Sequence, residues 1–133
     1  MKTVLIGIAR MGSTRLPGKV MMPLGGVPVL RWIWEAADGA ALVDEIVIAT
    51  TTKPEDDAIE AICKENGIRC FRGSEENVLE RFYLAAVMSA ATVAVRVTCD
   101  CPFVDPTIID QVIALRETHG ADYASNIDPP TWP

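Results

Sequence analysis

The sequence predicts an α/β fold in which a mostly parallel sheet carries helices on both faces. Short apolar segments rich in β-branched residues alternate along the chain with longer segments whose apolar residues recur at helical spacing. Strands that alternate with helices in this way join through right-handed crossovers, which give a parallel sheet with both faces covered. The chain has 133 residues, of which 50% are hydrophobic, so it can form one domain with a core of this kind.

The first strand is predicted at residues 3–9, and it is expected to be buried on both faces because the run is apolar throughout. A helix follows over residues 28–39, where Pro28 suits the first turn and apolar residues recur at helical spacing. The second strand is predicted at residues 45–50. These three elements form the first strand–helix–strand unit.

The second helix is predicted to begin at Pro54 and to end at Gly67. Acidic residues follow the proline in the first turn, where the helix dipole favours negative charge, and glycine is a common residue at a helix end. The third strand is predicted at residues 68–72.

The third helix is predicted to run from an N-cap at Ser74 to about residue 90, and the fourth strand follows at residues 92–97. Asp105 is expected to cap a fourth helix that ends at Gly120, and a fifth strand is predicted at residues 122–125. The inner side of the third helix is expected to carry Val78, Leu79, Phe82, Tyr83 and Ala86, and its outer side Arg81.

Charge is distributed unevenly along the chain, whose net charge is −6. Residues 1–34 contain basic residues and no acid, whereas all the acidic residues follow. An acidic protein with a basic first quarter does not suit a long nucleic acid, but it suits one small polyanion bound at one place.

No apolar run approaches the roughly 18 residues of a membrane span. Four cysteines without a C-x-x-C pair predict reduced thiols and a cytoplasmic location.

The loop after the first strand combines cations, glycines and hydroxyl groups. Ligands of an open parallel sheet bind outside the carboxyl ends of the strands, which is where this loop lies. Glycines let backbone N–H groups approach an anion, and arginine and lysine match its charge. The alternative, a solvated basic loop, is disfavoured because no acid lies near these residues in sequence. The loop predicts a phosphate site that includes Arg10, Ser13, Arg15 and Lys19.

Two common phosphate motifs do not fit this loop. A P-loop has four residues between its glycine and Gly-Lys, whereas Gly12 and Gly18 are separated by five, and Val20 stands where a magnesium-binding Ser or Thr is required. The dinucleotide fingerprint that could begin at Gly7 must open a helix, which Pro17 would interrupt.

The spacing of the loop resembles that of the cytidylyltransferases that activate acidic sugars, the CMP-3-deoxy-manno-octulosonate and CMP-acylneuraminate synthetases. The later segments look most like the branch of this family named after spore coat polysaccharide biosynthesis protein F. The matching segments are Ala9-Arg10-x-x-Ser13-x-Arg15-Leu16-Pro17-x-Lys19, Leu24-x-Gly26-x-Pro28-x-Leu30, Arg72-Gly-Ser-Glu75, Asn77-Val-Leu-x-Arg81 and Thr98-Cys-Asp-Cys-Pro102.

The resemblance implies a Rossmann-like nucleotide-diphospho-sugar transferase fold of the GT-A-like type, incomplete at its C-terminus. Residues 1–133 would form the nucleotide-binding domain, which is the N-terminal part of a nucleotidyltransferase domain. The implied reaction transfers CMP from CTP to an acidic sugar and forms a CMP-sugar for surface polysaccharide biosynthesis, with Mg²⁺ as cofactor. The implied partners are CTP and an acidic sugar, and the resemblance is compatible with a homodimer.

The resemblance also assigns roles to individual residues. Arg15, Lys19 and Asp100 would be catalytic, with Lys19 nearest the α-phosphate. The nucleotide would be bound by Ala9, Arg10, Ser13, Arg15, Lys19, Asn77 and Arg81, and the backbone of Ala9 and Arg10 would read the cytosine edge.

Asp100 follows the fourth strand, so its carboxylate is expected at the carboxyl edge of the sheet, opposite the basic loop. An aspartate there suits Mg²⁺ bound between phosphates, and the family's metal-binding aspartate matches this position. The alternative is a turn or capping aspartate, a role that Asp105 fits better. Cys99 stands where the family usually has glycine.

Two other functions remain open. In the resembled enzymes, a second metal-binding acid and much of the sugar site come from chain beyond the segment that corresponds to Pro133. The chain could therefore be a non-catalytic nucleotide-binding fragment or module. A nucleotidyltransferase that uses UTP or GTP is the other alternative, although such enzymes have a glycine-rich start to the first loop.

Overall fold

The computed structural model describes residues 1–12 and 15–131. Single turns of 3₁₀ helix lie at Lys19–Met21 and Pro54–Asp56. The other elements are β1 (Thr3–Ile8), β2 (Pro23–Leu24), β3 (Val27–Pro28), α1 (Val29–Asp38), β4 (Glu45–Thr51), α2 (Asp57–Glu65), β5 (Arg69–Gly73), α3 (Val78–Met88), β6 (Val93–Thr98) and α4 (Pro106–Thr118).

The main sheet has four parallel strands in the order β5-β4-β1-β6. The chain winds outward from β1 through β4 to β5, and it then crosses back to place β6 on the other side of β1. The α/β class and the parallel sheet are therefore confirmed. The order of winding reverses between β1 and β6, and such a reversal opens a crevice at the carboxyl ends of the two strands.

Helices cover both faces of the sheet, as predicted. On one face α1, α2 and α4 pack against the strands, and on the other face α3 packs alone. β1 is the most deeply buried strand because helices cover it on both sides. The first face is centred on Leu5, Leu30, Ile33, Ile48, Ile59, Ile109 and Ile113, and the second on Val4, Ile6, Val47, Ala49 and Ala85.

The prediction for α3 is wrong in its start and in two of its core residues. The helix begins at Val78 with Asn77 as its N-cap, and Ser74 instead accepts a hydrogen bond from the Asn77 N–H. Leu79 and Tyr83 are 77% and 62% exposed. Apolar residues occupy both sides of this helix, so their spacing alone does not show which side is buried.

Two predictions for the last part of the chain have opposite outcomes. Asp105 caps α4 as expected, because its side chain accepts a hydrogen bond of 2.7 Å from the Thr107 N–H. Residues 122–125 form no strand, so that prediction is wrong. The described chain places no neighbouring strand beside them, and Tyr123 is largely exposed.

Of the helices in the described ranges, none has the length and apolar character needed to cross a bilayer.

Gly7 is the next-to-last residue of β1, and it lies opposite Ile48 and Val97. A methyl group on Gly7 would lie 2.8 Å from the Cys99 Sγ and 2.9 Å from the Ile48 Cδ1, and both side chains are buried. We expect Gly7→Ala to lower the free energy of unfolding by about 1–3 kcal/mol, because the packed core has to shift. Urea denaturation measures this, and an unchanged unfolding midpoint would contradict the close packing.

Candidate functional site

The candidate site lies at the crevice between the carboxyl ends of β1 and β6. The two strands run side by side to their last residues, where Ile8 lies opposite Thr98. The Cys99 N–H then donates a hydrogen bond of 3.1 Å to the Ile8 carbonyl. The basic loop after β1 and the turn that carries Asp100 therefore leave the sheet next to each other. This arrangement agrees with the predicted placement of the two segments.

Backbone hydrogen bonds hold the base of the basic loop. The Ala9 N–H donates to the Ala49 carbonyl at 3.1 Å, which extends the pairing of β1 with β4 by one residue. The Gly18 N–H donates to the Met11 carbonyl at 2.8 Å and closes the loop. Gly18 has a φ of 74°, a conformation that glycine adopts without steric cost. Lys19 follows at once in a short 3₁₀ helix, so its position is fixed by this closure.

Arg15 and Lys19 carry charges that no ion pair among the described residues neutralises. Arg15 is exposed and Lys19 is partly exposed. Across residues 1–12 and 15–131, the ion pairs involve neither side chain. Both cations are therefore accessible to an anionic ligand at the carboxyl edge of the sheet. Ser13, the hydroxyl residue predicted for the same site, lies outside the described residues.

Arg10 has an acidic neighbour, contrary to expectation. The Arg10 Nη1 lies 3.9 Å from the Glu75 Oε1, and the Lys53 Nζ lies 2.6 Å from the Glu75 Oε2. The hydrogen bond with Glu75 raises the pKa of Lys53 above its usual value. Sequence reasoning missed both Lys53 and Glu75, because the segments after β4 and β5 are far from the loop in sequence and meet it only when the sheet forms.

A buried carboxylate also supports the loop. Asp56 is 1% exposed, and its Oδ1 accepts a hydrogen bond of 2.7 Å from the Met11 N–H. The Thr51 hydroxyl donates to the other oxygen of the same carboxylate. The sequence prediction treated the acids after Pro54 only as favourable charges in a first helical turn. That explanation does not account for Asp56, whose side chain points into the protein.

Arg72 fixes the segment that leads from β4 to α2. Its Nε and Nη2 donate to the carbonyls of Thr51 and Lys53, each at 2.7 Å, and its Nη1 lies 2.7 Å from the Asp57 carboxylate. The hydrogen bond with Asp57 raises the pKa of Arg72. Arg72 therefore has a structural role in one of the segments that resemble the family.

The side chains of Arg81 and Asn77 both form hydrogen bonds within the protein. Arg81 is 1% exposed rather than on the outer side of its helix, and its Nη1 donates to the Ser74 carbonyl at 2.8 Å. Burial lowers the pKa of its guanidinium, and the charge of Arg10 acts in the same direction. The Asn77 Oδ1 accepts from the Glu80 N–H at 2.9 Å as the cap of α3. Their contacts with a nucleotide stay predictions.

Asp100 is exposed in the turn after β6. Burial raises the pKa of Cys99 to about 12, and the negative charge of Asp100 makes a smaller contribution in the same direction. The buried Cys99 thiol therefore stays protonated near neutral pH. Within the described ranges, no group of three or more His, Cys, Asp or Glu side chains could hold a metal ion. A single carboxylate nevertheless fits Mg²⁺, which commonly takes one or two carboxylates together with substrate phosphates and water.

Comparison with protein families gives a match over almost the whole chain. The family model described as "Cytidylyltransferase" matches residues 4–131. The chain is 44% identical over 126 residues to spore coat polysaccharide biosynthesis protein SpsF of Bacillus subtilis, a match that covers 92% of this chain and 52% of the relative. It is 33% identical over 116 residues to the 3-deoxy-manno-octulosonate cytidylyltransferase of Pseudomonas fluorescens, covering 84% of this chain and 44% of that protein.

Solved structures give the same result. A cytidylyltransferase from Leptospira borgpetersenii matches with a TM-score of 0.80 and 39% identity, over 86% of this chain and 48% of that one. A CMP:2-keto-3-deoxy-manno-octonic acid synthetase complexed with CTP matches with a TM-score of 0.75 and 25% identity, over 91% of this chain and 49% of that one. The chain thus spans about half the length of these relatives, and the predicted family resemblance and fold are confirmed.

Proposed function

Because the chain belongs to the cytidylyltransferase family, we propose that it binds CTP through its basic loop and transfers CMP to an acidic sugar. The observation that carries the proposal is that Arg15 and Lys19 are at least partly exposed and have no ion-pair partner in the described chain. They lie in the loop that leaves the sheet beside the start of the turn that carries Asp100. The relatives support the substrates, since one solved structure is complexed with CTP and several relatives are named for an acidic sugar. The match to SpsF supports a role in surface polysaccharide biosynthesis.

The reaction joins the sugar to the α-phosphate of CTP. The anomeric hydroxyl oxygen attacks the α-phosphorus, a new P–O bond forms, and the bond between the α-phosphorus and the bridging oxygen breaks. The hydroxyl proton passes to water, and pyrophosphate leaves with the charge of the broken bond. Catalysis by this chain would rest on positioning and on positive charge near the leaving group. Lys19 would act at the α-phosphate, and Arg10 and Arg15 would hold the rest of the triphosphate.

Asp100 is the residue that we propose to hold Mg²⁺. Its carboxylate is a hard oxygen ligand, and the remaining ligands would come from the phosphates and from water. When it is bound, the ion neutralises phosphate charge. Ala9 would take part in base recognition through backbone groups other than its N–H, which is already bonded to the Ala49 carbonyl.

Nucleotide binding without turnover is a second candidate function. It is favoured by the proposed metal site, to which the described residues contribute one carboxylate and no cluster of three or more metal-ligating side chains. A cytoplasmic location is also proposed. It is supported by the free thiols of Cys63, Cys70, Cys99 and Cys101, which are typical of a reducing compartment. The homodimer stays a prediction.

The base preference tests the proposed function directly. We expect CTP to raise the melting temperature more than UTP, GTP or ATP at equal nucleotide and Mg²⁺ concentrations. A ligand at a hundred times its Kd that binds only the folded state adds about 2.7 kcal/mol to the stability, so a difference in affinity appears as a difference in melting temperature. Stronger stabilisation by UTP or GTP would assign the protein to the alternative group of nucleotidyltransferases, and no stabilisation by any nucleotide would contradict the proposed site.

A further inference from the structure

We propose that Asp56 is the positioning residue of the basic loop, a role that rests on the proposed CTP site for its functional meaning. Asp56 does not face the proposed ligand. It lies beneath the loop, 1% exposed, in the short 3₁₀ helix that follows β4. Its effect on the nucleotide would be exerted through the backbone of the loop.

The hydrogen bonds of Asp56 explain why a charged side chain is buried here. A buried carboxylate is stable only when its oxygens are paired. The Oδ1 accepts from the Met11 N–H at 2.7 Å, and the Oδ2 accepts from the Thr51 hydroxyl. One partner is close in sequence and the other lies 45 residues away. The carboxylate therefore joins the segment after β4 to the segment after β1.

Met11 is the residue at which this bond has most influence on the loop. It directly follows Arg10, and its carbonyl accepts the Gly18 N–H at 2.8 Å. One residue therefore makes both hydrogen bonds, the one at the start of the loop and the one that closes it, with Arg10 on one side and Lys19 beyond the closure. A rotation at Met11 would displace both cations together. Fixing its N–H fixes the spacing of the two charges before any ligand binds.

Further hydrogen bonds fix Thr51, the residue whose hydroxyl donates to Asp56. The Thr51 hydroxyl donates to Asp56, and its oxygen accepts a hydrogen bond from the Lys53 N–H at 3.1 Å. Arg72 binds the carbonyls of Thr51 and Lys53. Hydrogen bonds thus connect the ends of β1, β4 and β5, and those from Met11 and Thr51 meet at the Asp56 carboxylate. The geometry is that of a preorganised loop, which lowers the entropic cost of binding a flexible triphosphate.

The test compares three variants. Asp56→Ala removes the acceptor of the Met11 N–H. Asp56→Asn keeps an oxygen acceptor of the same shape and can still bond to Thr51, but it removes the charge. Asp44→Ala is the matched control, because the Asp44 carboxylate accepts a backbone N–H, that of Thr3, at 2.8 Å at the opposite edge of the same sheet. The readouts are CTP affinity by calorimetry, melting temperature, and hydrogen exchange at the Met11 and Gly18 amides without nucleotide.

If Asp56 positions the loop, Asp56→Ala speeds hydrogen exchange at the Met11 and Gly18 amides. It also weakens CTP binding roughly tenfold or more, which is the effect expected when a hydrogen bond to a charged group is lost. Asp56→Asn stays close to the wild type in both readouts, and Asp44→Ala lowers only the melting temperature. The proposal is overturned if Asp56→Ala changes the melting temperature alone, or if Asp56→Asn loses CTP affinity with normal exchange, which would assign the effect to charge.

Two further provisions keep the result decisive. If Asp56→Ala does not fold, Thr51→Val replaces it, because this change removes only the hydroxyl donor to Asp56, and faster exchange at Met11 is again the expected result. If the wild-type protein binds no CTP, the proposed function fails, whereas hydrogen exchange still decides whether Asp56 holds the loop.

Discussion

Replacing Asp100 by asparagine is expected to abolish the Mg²⁺-dependent part of CTP binding and to leave the metal-free part nearly intact. Asparagine keeps the shape and hydrogen-bonding capacity of the side chain, but it lacks the negative charge that a hard divalent cation requires. Asp100 is exposed, so the substitution is not expected to disturb the core. The measurement is CTP affinity in Mg²⁺ and in EDTA, for the wild type and the variant.

Asp105→Asn is the matched control for this experiment. Asp105 lies five residues further along and caps α4, and asparagine caps a helix about as well as aspartate. This variant is expected to bind CTP like the wild type in both solutions. If Asp100→Asn retains the whole Mg²⁺ effect, or if the wild type shows none, Asp100 is a turn residue. Nucleotide binding without turnover would then become the better interpretation.

Lys19→Ala is expected to weaken CTP binding by about 1.5–3 kcal/mol, the range for a hydrogen bond to a charged group, which corresponds to roughly ten- to a hundredfold in Kd. The free energy of unfolding should change little, because the Lys19 side chain is partly exposed and forms no ion pair with the described residues. Calorimetry with CTP and urea denaturation measure the two quantities.

Lys64→Ala removes the same charge from the last turn of α2, away from the carboxyl edge of the sheet, and it serves as the control for net charge. We expect its CTP affinity to match that of the wild type. Equal affinity in the Lys19 variant would exclude Lys19 from the site. An equal loss in both variants would mean that the overall charge of the protein, rather than the loop, governs binding.

The fold could be predicted because its signals are local. A strand buried on both faces is apolar along most of its length, and residues 4–9 and 46–49 show this directly. The predicted bounds of β1 and β4 agree with the structure to within about a residue, which is as closely as strand ends are defined. The orientation of α3 could not be predicted, because Leu79 and Tyr83 are as apolar as the residues that face the sheet. Nothing in the local pattern indicates that Arg81 is buried.

Some residues of the candidate site could likewise be predicted from the sequence, and others could not. The basic loop was recognisable because its cations lie within a few residues of each other. Asp56, Lys53 and Glu75 were not, because they reach the loop only through the pairing of β1 with β4 and of β4 with β5. Asp56 also had a sufficient local explanation as an acid at a helix start, which concealed its contact with Met11.

The Glu75 carboxylate determines how much negative charge a ligand would need in order to bind at the proposed site. It acts as an internal counter-ion for Arg10 and Lys53, so a nucleotide at the proposed site would have to displace it to pair with those cations. At the proposed site, a triphosphate would carry enough charge to replace Glu75 and still pair with Arg15 and Lys19. The single phosphate of a CMP-sugar would not, so we expect the product nucleotide to bind less tightly than CTP.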